Sequence, residues 1–256
     1  MKTMLRIYAA AVLLFLLAPL IVVLPLSFSA NDMTSLPVRA MSLRWYRDFF
    51  TDSHWQMASR NSLLVGLATM ILATGLGTLA AIGIRLGGRQ ARIVLTLLCL
   101  PIVVPSVIAG LAIYLVFARL GLVNTLAGLV LAHSVLALPY VVLTVHASLR
   151  DFDPQLLRAA ASLGAKPGLI LRTIVLPLLA PAIGTGAVFA FTISFDELIV
   201  ALFIAGPEQF TLPRQMLASA RDTLSPTLAV AAVLVSAASL LLLAFYAVLQ
   251  RRRGLD

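Results

Sequence analysis

The sequence predicts an all-α integral membrane protein with six transmembrane helices and both termini in the cytoplasm. Three observations carry that expectation. Hydrophobic residues make up 61% of the chain and charged residues only 11%, where soluble domains run near half and a quarter. Mean hydropathy is +1.03. The apolar residues also gather into six runs long enough to cross a hydrocarbon core of about 30 Å. One transmembrane domain, residues 1–256, accounts for the whole sequence.

The first run, Ile7–Phe28, follows Lys2 and Arg6 and precedes Ser27, Ser29 and Ala30, which is the dress of a signal peptide. Its apolar stretch is far longer than a cleavable one, so it reads as a retained anchor. Between the first two runs, Ser42–Phe50 mixes aromatic and charged residues. It suits a helix lying at the membrane interface with its rings at headgroup depth, or a docking point for an external protein; the spacing does not decide. The second run, Leu63–Ile84, carries Gly66, Gly75, Gly77 and Gly83, a strip that lets another helix come close. The third, Ile93–Phe117, contains Pro101, Pro105 and Gly110; the fourth, Val123–Val145, contains Pro139. The fifth, Leu178–Ile204, contains Pro181, Gly184 and Gly186, and the sixth is Leu228–Leu249. Each proline removes a backbone donor and bends its helix, a defect that lipid tolerates only where protein or a polar cavity satisfies the freed carbonyl.

Orientation comes from the cations. The formal charge of +9 does not point to nucleic acid, because the basic residues sit in short clusters between apolar runs. With the N-terminus inside, Lys2, Arg6, Arg85, Arg89, Arg92, Arg150, Arg158, Lys166, Arg172, Arg251, Arg252 and Arg253 are cytoplasmic. Arg39, Arg44, Arg47, Arg60, Arg119, Arg214 and Arg221 are outside, several beside Asp32, Asp48, Asp52, Glu208 or Asp222. The excess on the first side predicts cytoplasmic ends.

The longest cytoplasmic connection, about Ala147–Leu176, reads as structured. Asp153 is placed to cap a helix whose first residue is Pro154, and Gly164 to end it in a left-handed conformation. Leu156, Ala160 and Leu163 then share one face, with Gln155, Arg158 and Ser162 elsewhere, and that face requires a cover.

Here the chain resembles the permeases of binding-protein-dependent ABC importers. Their cytoplasmic signature runs Glu-Ala-Ala, three residues, Gly, nine residues, Ile, one residue, Leu-Pro. This sequence has Arg158, Ala159, Ala160, then Gly164, Ile174, Leu176 and Pro177, with every interval kept and arginine in the glutamate's place. Further along, Ser194-Phe195-Asp196-Glu197, Gly206-Pro207, Thr211-Leu212-Pro213 and Ser225-Pro226 look like the spermidine/putrescine branch, as do Arg44-Trp45-Tyr46 and Asn61-Ser62-Leu63. The resemblance spans about Ser42–Tyr246. It implies a type I ABC importer permease in the bacterial inner membrane. Residues Pro154, Leu156, Arg158, Ala159, Ala160, Leu163 and Gly164 would then couple to an ATPase. The implied partners are a second permease, an ATPase dimer holding ATP and Mg, an extracytoplasmic binding protein and membrane lipid. The cargo it implies is a small polar solute, a polyamine first, with other amines, amino-acid derivatives and phosphonates carried by relatives.

Rival classes find little support. His54, His133 and His146 are scattered, Cys99 is the sole cysteine, and no His-Glu-x-x-His, Gly-x-Ser-x-Gly or phosphate-binding Gly-x-x-x-x-Gly-Lys loop occurs. No catalytic residue, metal site or bound cofactor is expected, and His133 reads as a hydrogen-bonded core histidine. A stand-alone secondary transporter would carry similar halves and several intramembrane ion-coupling groups. Only Asp196 and Glu197 qualify. Counted back from Ile204, Asp196 is expected about 12 Å inside the outer end of a continuous fifth helix. Either the two carboxylates bond to a companion permease or to Ser194 and Thr192, or one faces the pathway and attracts an ammonium group, with Phe195 adding a cation–π contact.

The charge bias makes a topological prediction. A reporter active only in the cytoplasm should work when fused at the C-terminus or within 147–176. Activity of a periplasm-dependent reporter at both positions would overturn the orientation.

Overall fold

A computed structural model describes residues 2–31, 38, 40–150, 153–222 and 225–252. Asp32, Arg39 and Arg253 of the charge pattern lie outside the described residues. The helices are α1 (Lys2–Ser27), α2 (Arg44–Thr51), α3 (Ser53–Leu86), α4 (Ala91–Val103), α5 (Ser106–Leu120) and α6 (Leu126–Arg150). They continue with α7 (Pro154–Ser162), α8 (Pro167–Ile170), α9 (Leu176–Asp196), α10 (Ile199–Ile204), α11 (Leu212–Asp222) and α12 (Thr227–Arg252). A π-helical turn, Leu171–Val175, joins α8 to α9, so that Pro167–Asp196 is one span. Its cause is local: Pro177 cannot donate and its ring crowds the preceding turn, and the Leu176 N–H reaches back five residues to the Leu171 carbonyl.

Among the described residues, five helical stretches are long and apolar enough to cross a membrane, and α4 with α5 makes a sixth only as a bent pair. The bend expected of the third span from its prolines is far sharper than a kink: α4 and α5 meet at 108°. Pro105 disfavours the helical region for the residue before it, and Val104 is extended at φ −73°, ψ 127°. The fifth span is corrected. Its helix begins earlier, at Pro167, and stops at Asp196; Glu197 is extended, and α10 is a separate short helix that packs on α5.

The core is the packing of α3, α6 and α9 on one another. Ala73, Ala81, Ala137, Val141, Val145 and Leu179 form its centre. The approach of α3 to α6 is set at Gly77, where an added Cβ would meet Val141 at 2.7 Å, whereas Gly75 faces open space. The first helix stands at the periphery and packs chiefly on α12. The rings of α2 are divided between the protein and its surface. Trp45 and Phe49 are buried among Trp55, Ala58, Leu212 and Val230, and Phe50 remains exposed. Tyr46 packs against Phe28 and shares a 2.9 Å hydrogen bond with Ser27, tying α2 to the end of α1.

The loop between α10 and α11 is pinned to α3 and to itself. The Asn61 side-chain amide donates to the Glu208 and Phe210 carbonyls at 2.9 and 3.0 Å, and Ser62 Oγ accepts the Leu212 N–H at 2.7 Å. The Arg214 guanidinium donates to the Ala201 and Ala205 carbonyls at the end of α10 and lies 4.1 Å above the Phe210 ring. The separated motifs Asn61-Ser62, Gly206-Pro207 and Thr211-Leu212-Pro213 are thus parts of one interlock.

Gly77→Ala should lower the thermal stability of the detergent-purified chain, since overpacking commonly costs about 1–3 kcal/mol. Gly75→Ala should leave it unchanged or slightly raised, because alanine is the better helix former. Equal stability of both variants would contradict the close α3–α6 contact.

Candidate functional site

A cleft of about 460 Å³ opens between the α4–α5 bend, α6 and the end of α9. Its walls include Pro101, Val104, Pro105, Tyr140, Thr192, Asp196 and Glu197, and among the described residues no basic side chain lines it. The bend makes the space: a straight third helix would carry Ser106 and its neighbours onward along the bundle. The end of α9 supplies the charge.

Both sequence-predicted carboxylates therefore border the cleft, in a setting different from the expected one. They stand at a helix break, with Glu197 the first residue to leave the helical conformation. Asp196 ends α9 with its side chain exposed. Glu197 is half-buried, and its carboxylate accepts the Val200 N–H at 2.9 Å, capping the first turn of α10. Of the alternatives for these carboxylates, a bond to the Ser194 and Thr192 side chains is not the one formed. Ser194 Oγ pairs with His133 Nδ1 at 2.9 Å, and Thr192 Oγ1 donates to the Val188 carbonyl. Phe195 turns away from the cleft, into the cluster of Trp55 and Val230, and stacks on Phe191 at 5.3 Å. The ring that does line the cleft is Tyr140.

His133 is fully buried and clamps α6 to the last turn of α9 through Ser194. This fixes the helix end that presents Asp196. Sequence reading placed His133 in the core and missed its partner, 61 residues away. No local spacing records such a pair.

At the other end of the bundle, α7 has the caps its residues specify. Asp153 accepts the Gln155 N–H at 2.8 Å, and Pro154 stands in the first turn. Gly164 takes φ +82°, with Ala165 N–H bonded to the Ala160 carbonyl and Gly164 N–H to that of Ala161. These paired bonds close the helix by the Schellman arrangement. Leu157 packs inward beside Ile170, Leu171 and the α3–α6–α9 core. Leu156 and Leu163 point out, 48% and 89% exposed, with Arg158 and Ala159 also exposed and Ala160 partly so. The sequence singled out the outward face and overlooked Leu157, the residue that attaches the helix to the bundle.

The comparisons with known proteins agree with this architecture. Residues 73–254 match the family described as the binding-protein-dependent transport system inner membrane component. The chain is 28% identical over 92% of its length to the spermidine/putrescine transport system permease protein PotC of Escherichia coli K12, covering 89% of it. It is 31% identical over 86% of its length to the putrescine transport system permease protein PotI of the same strain, covering 81%. It is also 31% identical over 84% of its length to the molybdenum transport system permease protein ModB of Mycobacterium bovis, covering 88%. In fold it is similar to a chain of the bacterial alginate ABC transporter in complex with alginate pentasaccharide-bound periplasmic protein. That TM-score is 0.76 at 14% identity, with 98% of this chain and 93% of that one covered. A chain of the inward-facing MetNI methionine ABC transporter gives 0.64 at 17% identity, with 81% and 97% covered. A match over most of the chain, together with apolar spans of membrane length, settles the assignment: this protein is a multi-pass permease subunit belonging to the inner membrane components of binding-protein-dependent transport systems.

Proposed function

We propose that the chain forms half of the translocation pathway of an ATP-driven importer whose cargo is a polyamine such as spermidine or putrescine. The observation that carries this reading is the cleft itself. It presents Asp196 and Glu197 with no basic side chain among its described walls, so it attracts an ammonium group and repels an anion. Tyr140 adds an aromatic face and hydroxyl for the same cation. The two polyamine permeases among its relatives point the same way. The molybdenum relative marks the competing reading, an anionic cargo such as an oxyanion or phosphonate.

The chain itself performs no bond chemistry in this scheme. A second permease closes the open side of the cleft, an extracytoplasmic binding protein delivers cargo, and an ATPase pair supplies energy with its own ATP and Mg. The outward face of α7, with Leu156, Arg158, Ala159, Ala160 and Leu163, seats in that ATPase, and closure of the ATPase pair swings the bundle between inward-open and outward-open states. Arg158 replaces the acidic residue of the usual signature, so its contact is with an acidic or carbonyl group.

Two experiments test the scheme at its two ends. In an assembled importer that still hydrolyses ATP, Asp196→Asn should cut polyamine uptake about tenfold or more. Glu197→Gln keeps an acceptor for Val200 N–H and so tests charge alone. Normal uptake kinetics in both variants would remove the carboxylates from the pathway, and uptake of an oxyanion in preference to polyamine would overturn the cargo.

Gly164→Val places a β-branched residue at φ +82°, a conformation such residues strongly resist. It should release co-purifying ATPase at unchanged permease abundance, and Ala160→Leu should do the same by bulk. A stable, transporting complex in both variants would dissociate α7 from coupling.

A further inference from the structure

A second cavity of about 530 Å³ lies at the α7 end of the bundle, and nothing in the transport scheme uses it. Its walls are apolar: Ile82 and Leu86 from α3, Leu149 from α6, Leu157 from α7 and Leu171 from the π turn. One charged side chain, Arg85, enters the lining, in the last turn of α3. Among the described residues no carboxylate pairs with it. Arg150, in the last turn of α6, directly follows the lining residue Leu149. The sequence continues the bias: no acidic residue occurs between Asp52 and Asp151, and from Arg150 to Arg172 the basic residues Arg150, Arg158, Lys166 and Arg172 share the chain with Asp151 and Asp153.

We propose that this groove is a binding site for one anionic phospholipid, whose acyl chain lies along Ile82, Leu86, Leu149 and Leu157 and whose phosphate is held by Arg85. Three features favour a lipid over a protein occupant. The groove is walled by the terminal turns of three membrane-spanning segments, α3, α6 and Pro167–Asp196, where the hydrocarbon core gives way to headgroups. Its apolar walls with a single cation match an amphiphile with one anionic end. Its attachment residue Leu157 points inward, away from the exposed α7 face that carries Leu156 and Leu163. A lipid there would wedge α7 against α3, α6 and α9, and basic pockets between helix ends commonly select anionic headgroups. The inference depends on the membrane topology and not on the cargo.

The test uses the full chain, delipidated and then supplied with phosphatidylcholine or phosphatidylglycerol, with retained lipid counted by native mass spectrometry. The wild type should keep one phosphatidylglycerol in preference to phosphatidylcholine. Arg85→Gln should cut that preference about fivefold, the equivalent of about 1 kcal/mol for one cation near a lipid surface. Gly168→Leu should cut retention of both lipids, because Gly168 lines the groove and its Cβ direction is open, so the leucine fills the space without a backbone clash. Unchanged thermal unfolding of both variants in phosphatidylcholine controls for misfolding. Equal retention of the two lipids by the wild type, or full preference in Arg85→Gln, would overturn the site. Stoichiometric release of phosphatidylglycerol on adding the ATPase would assign the groove to protein and overturn it equally. Loss of polyamine uptake plays no part in the readout, so the cargo and the lipid site fail independently.

Discussion

In hydrocarbon every backbone N–H and C=O needs a partner within the protein, and an unsatisfied group costs several kcal/mol. The most informative part of this structure is how it meets that demand where its helices stop. Helix α10 has six residues, so most of its terminal donors and acceptors have no helical partner. The Glu197 carboxylate takes the Val200 N–H at its start. At its end Arg214 donates to the Ala201 and Ala205 carbonyls, and the Asn124 N–H bonds to Ile204 at 2.8 Å. The cation stands at the C-terminus and the anion at the N-terminus, the arrangement favoured by the helix dipole. Asn61 and Ser62 then satisfy the loop that follows. A break that would otherwise be prohibitive becomes a fixed feature.

That break determines the site. Were the fifth span continuous to Ile204, the Val200 N–H would bond to the Asp196 carbonyl, and the Glu197 carboxylate would have no helix start to cap. At the break, Glu197 serves the backbone of α10 while Asp196 is left exposed at the cleft. The division of labour follows from geometry: one carboxylate stabilises the turn and the other is available to a ligand. The His133–Ser194 bond holds the same turn from the α6 side. A hydrogen bond of this kind is worth about 1 kcal/mol in a membrane interior, which is enough to fix the rotation of a helix end about its neighbours.

What was legible in the sequence was whatever depends on local composition. Runs of apolar residues located the membrane-length segments, and Asp153, Pro154 and Gly164 located α7 with its caps, because each of those residues acts on the backbone beside it. The 108° bend and the stop at Asp196 were not legible as such. A hydropathy window averages over them, and Leu198–Ile204 is as apolar as the helix it interrupts. Pro105 was the available signal for the bend, since it biases Val104 toward an extended conformation, but a proline alone does not distinguish a kink from a reversal. Asn61, Ser62 and Gly206-Pro207 stood out only as fragments of resemblance. Their meaning lies in contacts about 150 residues apart, which no spacing rule reaches. Phe195 illustrates the same limit. Its place beside two carboxylates suggested a cation–π partner, and a rotation about α9 sends it into the aromatic core instead.

The span Pro167–Asp196 links the anchor of α7 to the carboxylates of the cleft. Leu157 packs α7 against the core cluster that includes Val175 and Leu179, at the root of α9, and the far end of α9 carries Asp196. Between them lie the π turn and Pro177 and Pro181, which thin the hydrogen-bond ladder at the root. Tyr246 of α12 and Thr185 brace that weak region: the tyrosine hydroxyl donates to the Pro181 carbonyl at 3.0 Å and bonds to Thr185. Beyond it no proline interrupts the helix from Ala182 to Asp196, about 14 steps of 1.5 Å, or roughly 21 Å. Compliance is thus concentrated near α7 and stiffness near the cleft. In the proposed importer, a displacement of α7 flexes the root of α9 and carries its upper segment as a rod, so that Asp196, His133–Ser194 and the α10 turn shift together. A uniformly regular helix would spread the same displacement along its length, and one broken midway would lose it before the carboxylate.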